Sequence, residues 1–337
     1  MRKLATIASI DEIRPIEGAL NIECVKVRGW ICVTRKGDFK VGDKAVFFEP
    51  DSFLPVVPQF DFLAKGSSVK KMIVEGEEKS GYRLKTTSRL KTLSQGLALP
   101  VSMFPEVSNS AVGDDVTALL GVRLYEPPMD VSLAGEALGP MPGICPKTDE
   151  ERIQNVFPWI EERKGAHYTV TVKVDGTSTT VIHTEDHFGV CGHNWEWKDT
   201  GKNTYWNVAK RYNLQDKIPV GYAVQAEMVG EGIQSNRMLL KGQDFYVFYV
   251  WDITKGEYLQ WDDMEKFVKD IGLKTVPLFD HDFVFGRTLE QMLALANGPC
   301  PVNPKVLREG LVFRLNAPGT KVSFKVISND YLLHYGL

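Results

Sequence analysis

Cysteine is sparse in this chain and never closely paired. Its five copies, Cys24, Cys32, Cys145, Cys191 and Cys300, are scattered, odd in number and form no Cys-x-x-Cys. That speaks against a zinc ribbon and a disulfide framework, and fits a reducing, cytoplasmic setting. No run of about eighteen apolar residues occurs, so no membrane span is expected. The opening MRKLATIASIDEIRPIEG begins with two basic residues but lacks the apolar centre of a signal peptide, and reads as the start of a strand. An excess of positive charge is missing too. A formal net charge of -3 excludes a surface coated in cations, though not a local basic stripe, because phosphate contacts are local. Neither an internal repeat nor a low-complexity tract is found.

What is present is ordinary in bulk: 43% hydrophobic and 25% charged residues over 337 positions, a size that suits two domains. Residues 1–123 read as all-β. CVKVRGWICVTRKG alternates, VGDKAVFFEPDSFLP follows with a Gly42-Asp43 turn, and GYRLKTTSRLKTLSQGLALP is rich in turn residues. Short strands punctuated by Gly and Pro point to a small barrel. EPPMDVSLAGEALGPMPGICP has five prolines and three glycines, so residues 124–146 are expected to be a linker. Thr148 and Glu151 match a capping box opening a helix. From residue 166, HYTVTVKVDG, STTVIHT, YAVQAEMVG, DFYVFYVWDI, EGLVFRL and VSFKVIS are strand candidates. WDDMEKFVKDIG and RTLEQMLALANG are helix candidates. The pattern is α+β with antiparallel character.

Within TVKVDGTSTT, Lys173 stands two residues ahead of Asp175-Gly176, and Asp-Gly is a hairpin signal in its own right. Lys-x-Asp-Gly alone arises by chance in on the order of one chain in ten, so it cannot separate a reactive lysine from a turn neighbour. Other oddities lie downstream. Glu227 interrupts an apolar strand, either facing solvent from an edge or turned inward as an acid for a metal or a ribose. Trp251 sits in FYVFYVWDI, as core or as a stacking face. Glu309 precedes Gly310, and Lys325 is flanked by Phe324 and Val326.

Taken in order, Lys173-Val174-Asp175-Gly176, Glu227, FYVFYVWDI, Glu309-Gly310 and Ser323-Phe324-Lys325 resemble the motifs of the covalent nucleotidyltransferases, which comprise DNA ligases, RNA ligases and capping enzymes. KTDEERIQN and SFKVISNDYLL are similar to RNA ligases. GDFKVGDKAVFFEPDSFLP resembles the amino-terminal OB domain of the branch typified by the Naegleria enzyme. Only twelve residues follow Lys325, too few for the OB domain that DNA ligases and capping enzymes carry there. The expected architecture is an N-terminal OB-like barrel at 1–123, then an antiparallel-sheet, ATP-grasp-like nucleotidyltransferase domain at 147–337.

The resemblance implies an ATP-dependent RNA ligase acting on 3′-hydroxyl and 5′-phosphate RNA ends, with no obligate protein partner evident. Ligation at nicks containing DNA, or an inactive nucleic-acid-binding protein, are the alternatives. AMP would be carried on Lys173. Lys325 would hold the α-phosphate and help to lower the lysine pKa, which must fall by about 3 units for the amine to be neutral at pH 7. Asp175 and Glu309, then Glu227, would serve Mg or Mn through water. Trp251 would stack on the purine, with Phe248 as the fallback. On a regular strand, residues three apart face opposite sides, so only one of these two can serve. Two positions depart from the family. Ser323 stands where a lysine is usual, with Lys321 as its stand-in, and His193 in CGHN occupies the place of an arginine that contacts ATP or RNA phosphate. In the barrel, Arg83, Lys85, Arg89 and Lys91 form one basic face if GYRLKTTSRLK is a single strand. A turn at 86–88 would instead put two on each arm of a hairpin; a solvated face is the bland reading of either. Trp195, Trp197 and Trp206 serve packing or RNA.

Overall fold

The computed structural model describes residues 2–66, 69–128, 135–317 and 322–337. The chain divides into two compact units, residues 1–129 with 332–337, and residues 130–331.

The first unit is built of short strands whose alternate residues turn inward. Ala5–Ser9, Lys44–Phe48 and Leu97–Pro100 make one antiparallel sheet. Glu12–Pro15, Ile22–Val27 and Trp30–Arg35 make a second. A third joins Arg123–Leu124, Ser52–Pro55, Glu77–Arg83 and Val69–Val74. Phe48, Phe60 and Phe104 fill one core, Trp30 and Phe47 another. The expected four-residue basic face does not form in either way. The strand ends at Arg83, Thr87–Arg89 pairs with Thr92–Ser94 in a separate two-stranded sheet, and the turn falls at Leu90 and Lys91, both at positive φ. A change of sheet in mid-segment breaks the period of two on which that face depended.

The second unit holds two sheets. One runs in the order Ala137–Pro140, Trp195–Trp197, Phe188–Cys191, Thr177–His183, Tyr222–Gly230, Gln243–Asp252, Glu257–Tyr258, with Lys274–Thr275 also paired to Gln243–Asp252. The other runs Glu151–Arg152, Ser323–Ile327, Gly310–Leu315, His167–Lys173, Leu278–Val284. Helices Thr204–Arg211 and Trp261–Asp270 contribute to the core on one face of the first sheet, with Val224, Ala226 and Met228. Ile153–Glu161 and Leu289–Ala296 do the same for the second, against Tyr168, Val170, Val172, Phe313 and Phe324. Since strand residues alternate, the opposite faces carry Gln225 and Glu227 on one sheet, and Thr169, Thr171, Lys173, Arg314 and Lys325 on the other.

Three local expectations change. Residues 137–140 are a strand paired to Trp195–Trp197, so the Pro- and Gly-rich segment joins the sheet instead of being wholly linker. No capping box opens the helix at 153. Glu151 and Arg152 are extended because they pair in parallel with Phe324 and Lys325, and Arg152 is the N-cap residue with no side-chain cap bond. Trp197 is stacked on Tyr205, and Trp206 donates to the Trp197 carbonyl, so these two tryptophans pack.

Candidate functional site

Asp175-Gly176 is not a hairpin turn. The strand ending at Lys173 belongs to one sheet and the strand starting at Thr177 belongs to the other. The dipeptide carries the chain across, which leaves Lys173 facing the cleft. Gly176 is needed for close approach: a Cβ there would lie 2.3 Å from the Met228 carbonyl oxygen and 2.9 Å from Glu227 Cγ. Gly310 does the same beside Glu309, where a Cβ would meet the Val326 carbonyl oxygen at 2.2 Å. Both glycines thus let strands bearing charged groups close in on Lys173.

Lys173 Nζ donates to Glu309 Oε2 at 2.9 Å, with side-chain exposures of 25% and 17%. A cavity of about 210 Å³ is lined by Lys173, Glu227, Lys325, His193 and Phe248, with Val312 and Arg314. Glu227 is turned inward on a central strand, not outward from an edge. Burial, aided by Glu309 and Asp175, pushes its carboxyl up to about 8, against the pull of Lys173. Burial, then the charges of Lys173 and Arg152, push Lys325 down to about 8. For Lys173 burial also opposes the charge, but Glu309, Glu227 and Asp175 outweigh it and hold the ammonium above its ordinary value. The expected direction is therefore reversed. Three carboxylates face Lys173, and it is Lys325 that loses its proton more easily.

Of Phe248 and Trp251, it is Phe248 that lines this cavity, beside Tyr249. Tyr249 pairs with Gln225 and Val247 with Ala226, so Phe248 is one residue too many for its partner strand. Such a bulge re-aims a side chain, and it breaks the regular alternation from which the Phe248 and Trp251 alternatives were drawn. Trp251, the residue expected to stack on the purine, pairs with Ala223 and lies edge-on to Tyr258. It lines a neighbouring cavity of about 240 Å³ that does not include Lys173.

Asp175 is held by Arg237, whose Nη1 lies 3.2 Å from Oδ2. His193 is within 3.7 Å of Asp149. Ser323 donates to Glu150, while Lys321 lies outside the described residues. Arg83 pairs with Asp51 at 2.7 Å and lies over the Tyr125 ring, while Lys85, Arg89 and Lys91 are exposed. Arg152, Arg237, Glu150 and Arg314 escaped the sequence reading. Arg152 and Arg314 could have been found as cations one strand-neighbour away from Lys325 and Ser323, but only once the register was known.

Among the described residues no group of three His, Cys, Asp or Glu side chains is placed to enclose a metal. The site instead offers Glu309 and Glu227, hard oxygen donors that repel one another, with Asp175 close by. That donor set fits Mg or Mn, which need one or two carboxylates and otherwise take water and phosphate oxygens.

A family model described as RNA ligase matches residues 166–327, and an OB-fold domain model matches residues 4–101. The chain belongs to the RNA ligase family. Its similar solved structures include Naegleria gruberi RNA ligase with PPi, 45% identical over 99% of each chain at a TM-score of 0.83. A lysine-to-alanine mutant of that ligase with ATP and Mn, and a glutamate-to-alanine mutant with AMP and Mn, each match at 45% identity over 99% of both chains with a TM-score of 0.84. No curated protein matches. No helix among the described residues is long and apolar enough to cross a membrane.

Proposed function

We propose that this chain is an ATP-dependent RNA ligase that joins a 3′-hydroxyl to a 5′-phosphate through AMP carried on Lys173. The observation that carries this reading is the Lys173–Glu309 pair at 2.9 Å beside a cavity bounded by Phe248 and Val312. Similarity to a ligase solved with ATP and with AMP supports the choice of nucleotide.

In the first step Lys173 Nζ attacks the α-phosphorus of ATP. An N–P bond forms, the bond to the β-phosphate oxygen breaks, and pyrophosphate leaves. Nζ must shed a proton first, and Glu309 is the acceptor already in contact. A divalent cation, Mg or Mn, would be held by Glu309, Glu227 and Asp175, and would supply positive charge that favours the neutral amine and offsets charge on the phosphates. Lys325, near pKa 8, keeps its proton in most molecules at pH 7 and meets the α-phosphate as a cation. In the second step an oxygen of the RNA 5′-phosphate attacks the same phosphorus, the N–P bond breaks, and the amine is regenerated. In the third, the 3′-hydroxyl attacks the activated 5′-phosphate, AMP leaves, and the hydroxyl proton is released. The N-terminal unit holds the RNA through exposed cations, with Lys85, Arg89 and Lys91 as the contacts.

Labelled ATP and GTP, offered in parallel with Mg or Mn, test the first step. AMP should appear on Lys173 in the alkali-stable, acid-labile linkage of a phosphoramidate. Absence of label from every nucleotide would remove the ligase reading, and label from GTP alone would move it to capping chemistry.

A further inference from the structure

Beyond the lysines the cleft carries a second set of fixed groups. Along the Lys173 strand the residues on the cleft face are Lys173, Thr171 and Thr169, opposite Gly310, Val312 and Arg314. Arg314 in turn lies opposite Ser323. The Arg314–Ser323 row is therefore four residues from Lys173, about 13 Å along the strand. A nucleotide with its α-phosphorus at Lys173 and its ring between Phe248 and Val312 extends the far edge of its base toward this row.

The groups there are held in place. Glu150 accepts from Tyr249 through Oε1 at 2.7 Å and from Ser323 through Oε2. The Arg314 guanidinium lies over the Tyr249 ring, 4.4 Å from its centroid, and Nη1 donates to Thr171 Oγ1 at 3.1 Å. Glu150 and Arg314 both line the Lys173 cavity.

Resting on the reading of this cavity as the ATP site, we infer that Glu150 and Arg314 read the edge of the purine and make the site select adenine over guanine. A carboxylate only accepts hydrogen bonds and a guanidinium only donates them. Each oxygen of Glu150 has one lone pair engaged and another left. Adenine presents the N6 amine, a donor, beside N1, an acceptor, which matches the two groups. With Glu150 opposite the 6-position and Arg314 opposite N1, guanine in the same seat would present O6, an acceptor, to the carboxylate and a protonated N1 to the guanidinium, and is mismatched at both. The serine at 323 acquires a reason. Its short hydroxyl fixes Glu150 without a second charge, whereas a lysine would pair with the carboxylate and fill the inner end of the cavity.

The test compares ATP with GTP in labelling of the intact chain. In Glu150→Gln the amide oxygen can replace only one of the two carboxylate oxygens, and the nitrogen that replaces the other donates, so the edge offered to the base loses an acceptor and gains a donor. Labelling efficiency with ATP should fall about 10- to 100-fold while that with GTP rises. Tyr249→Phe, which frees one oxygen of the carboxylate, should move the same ratio less, through KM. A folded Glu150→Gln that keeps the wild-type ATP:GTP ratio overturns the inference, as does wild-type protein that uses GTP as well as ATP. Should Glu150→Gln not fold, Ser323→Ala removes only a hydroxyl, and an unchanged ratio there overturns it equally. Wild-type protein that takes label from neither nucleotide sinks the ligase reading itself, a result distinct from all of these.

Discussion

The cleft and the N-terminal barrel use charge in opposite ways. In the cleft, charged groups sit on the facing surfaces of two sheets, largely out of water, and their proton affinities move: Glu227 up to about 8 and Lys325 down to about 8. In the barrel, charges pair at the surface. Lys71–Glu78 has exposures of 62% and 55%, and Arg123–Glu75 has 50% and 72%. Pairs so exposed contribute about 0–1 kcal/mol. Desolvation is what separates the two regions. It makes the cleft costly to fold and chemically responsive, and leaves the barrel's charges in contact with water.

The largest effects belong to the cleft. Lys173→Ala should abolish covalent AMP and also lower the melting temperature, because it leaves the Glu309, Glu227 and Asp175 carboxyls without the cation that offsets them. Residual label would place the nucleophile elsewhere. Gly176→Ala attacks the same region through its backbone. A Cβ 2.3 Å from the Met228 carbonyl oxygen must displace the Tyr222–Gly230 strand that pairs with the strand starting at Thr177, and a loss of about 3 kcal/mol is expected. Denaturant unfolding measures it, and a shift below about 1 kcal/mol would mean that the crossover is looser than drawn.

The contrast also explains what could be read in advance. A lone charge in an apolar strand is legible. Lys173, Glu227 and Lys325 each interrupt a hydrophobic run, and each lines the cleft cavity. Six strands and two helices of the second unit follow from their periods in the same way. What failed depended on register. Asp175-Gly176 looks like a hairpin because nothing local says that its two arms join different sheets. Trp251 and Phe248 could not be ranked, because a bulge depends on which residues the partner strand offers. Arg83 to Lys91 could be read as one strand or as one hairpin, but not as parts of two sheets, because the change of sheet at Leu84–Thr86 carries no Gly or Pro to mark it.

A smaller effect, with opposite signs on stability and activity, is expected at Glu227. Its carboxyl binds a proton more tightly folded than unfolded. Below about pH 4.5 both states are protonated and nothing is lost. Between about 4.5 and 8 only the folded state keeps the proton, so stability falls as pH rises, levelling off above about 8. Glu227→Gln should therefore be more stable than wild type by about 4 kcal/mol near pH 8 and by almost nothing near pH 4, while labelling with AMP drops. Melting curves across that range check the sign. A variant less stable at pH 8 would show that Lys173 needs Glu227 more than burial penalises it.

The smallest effects lie in the barrel, where they divide four residues that the sequence groups together. Arg83 is tied to Asp51 and stacked on Tyr125, so Arg83→Ala should cost about 1 kcal/mol of stability and leave RNA affinity nearly unchanged. Lys85, Arg89 and Lys91 are exposed and have no ion-pair partner among the described residues. Replacing all three with alanine should leave the melting temperature alone. If each meets one phosphate of a single strand, three fewer cations flatten the slope of log K against log salt by about 2. The decisive quantity is that slope, not affinity at one salt concentration, because a distorted barrel would weaken binding without changing the number of ions released. An unchanged slope would make these three cations part of a solvated face.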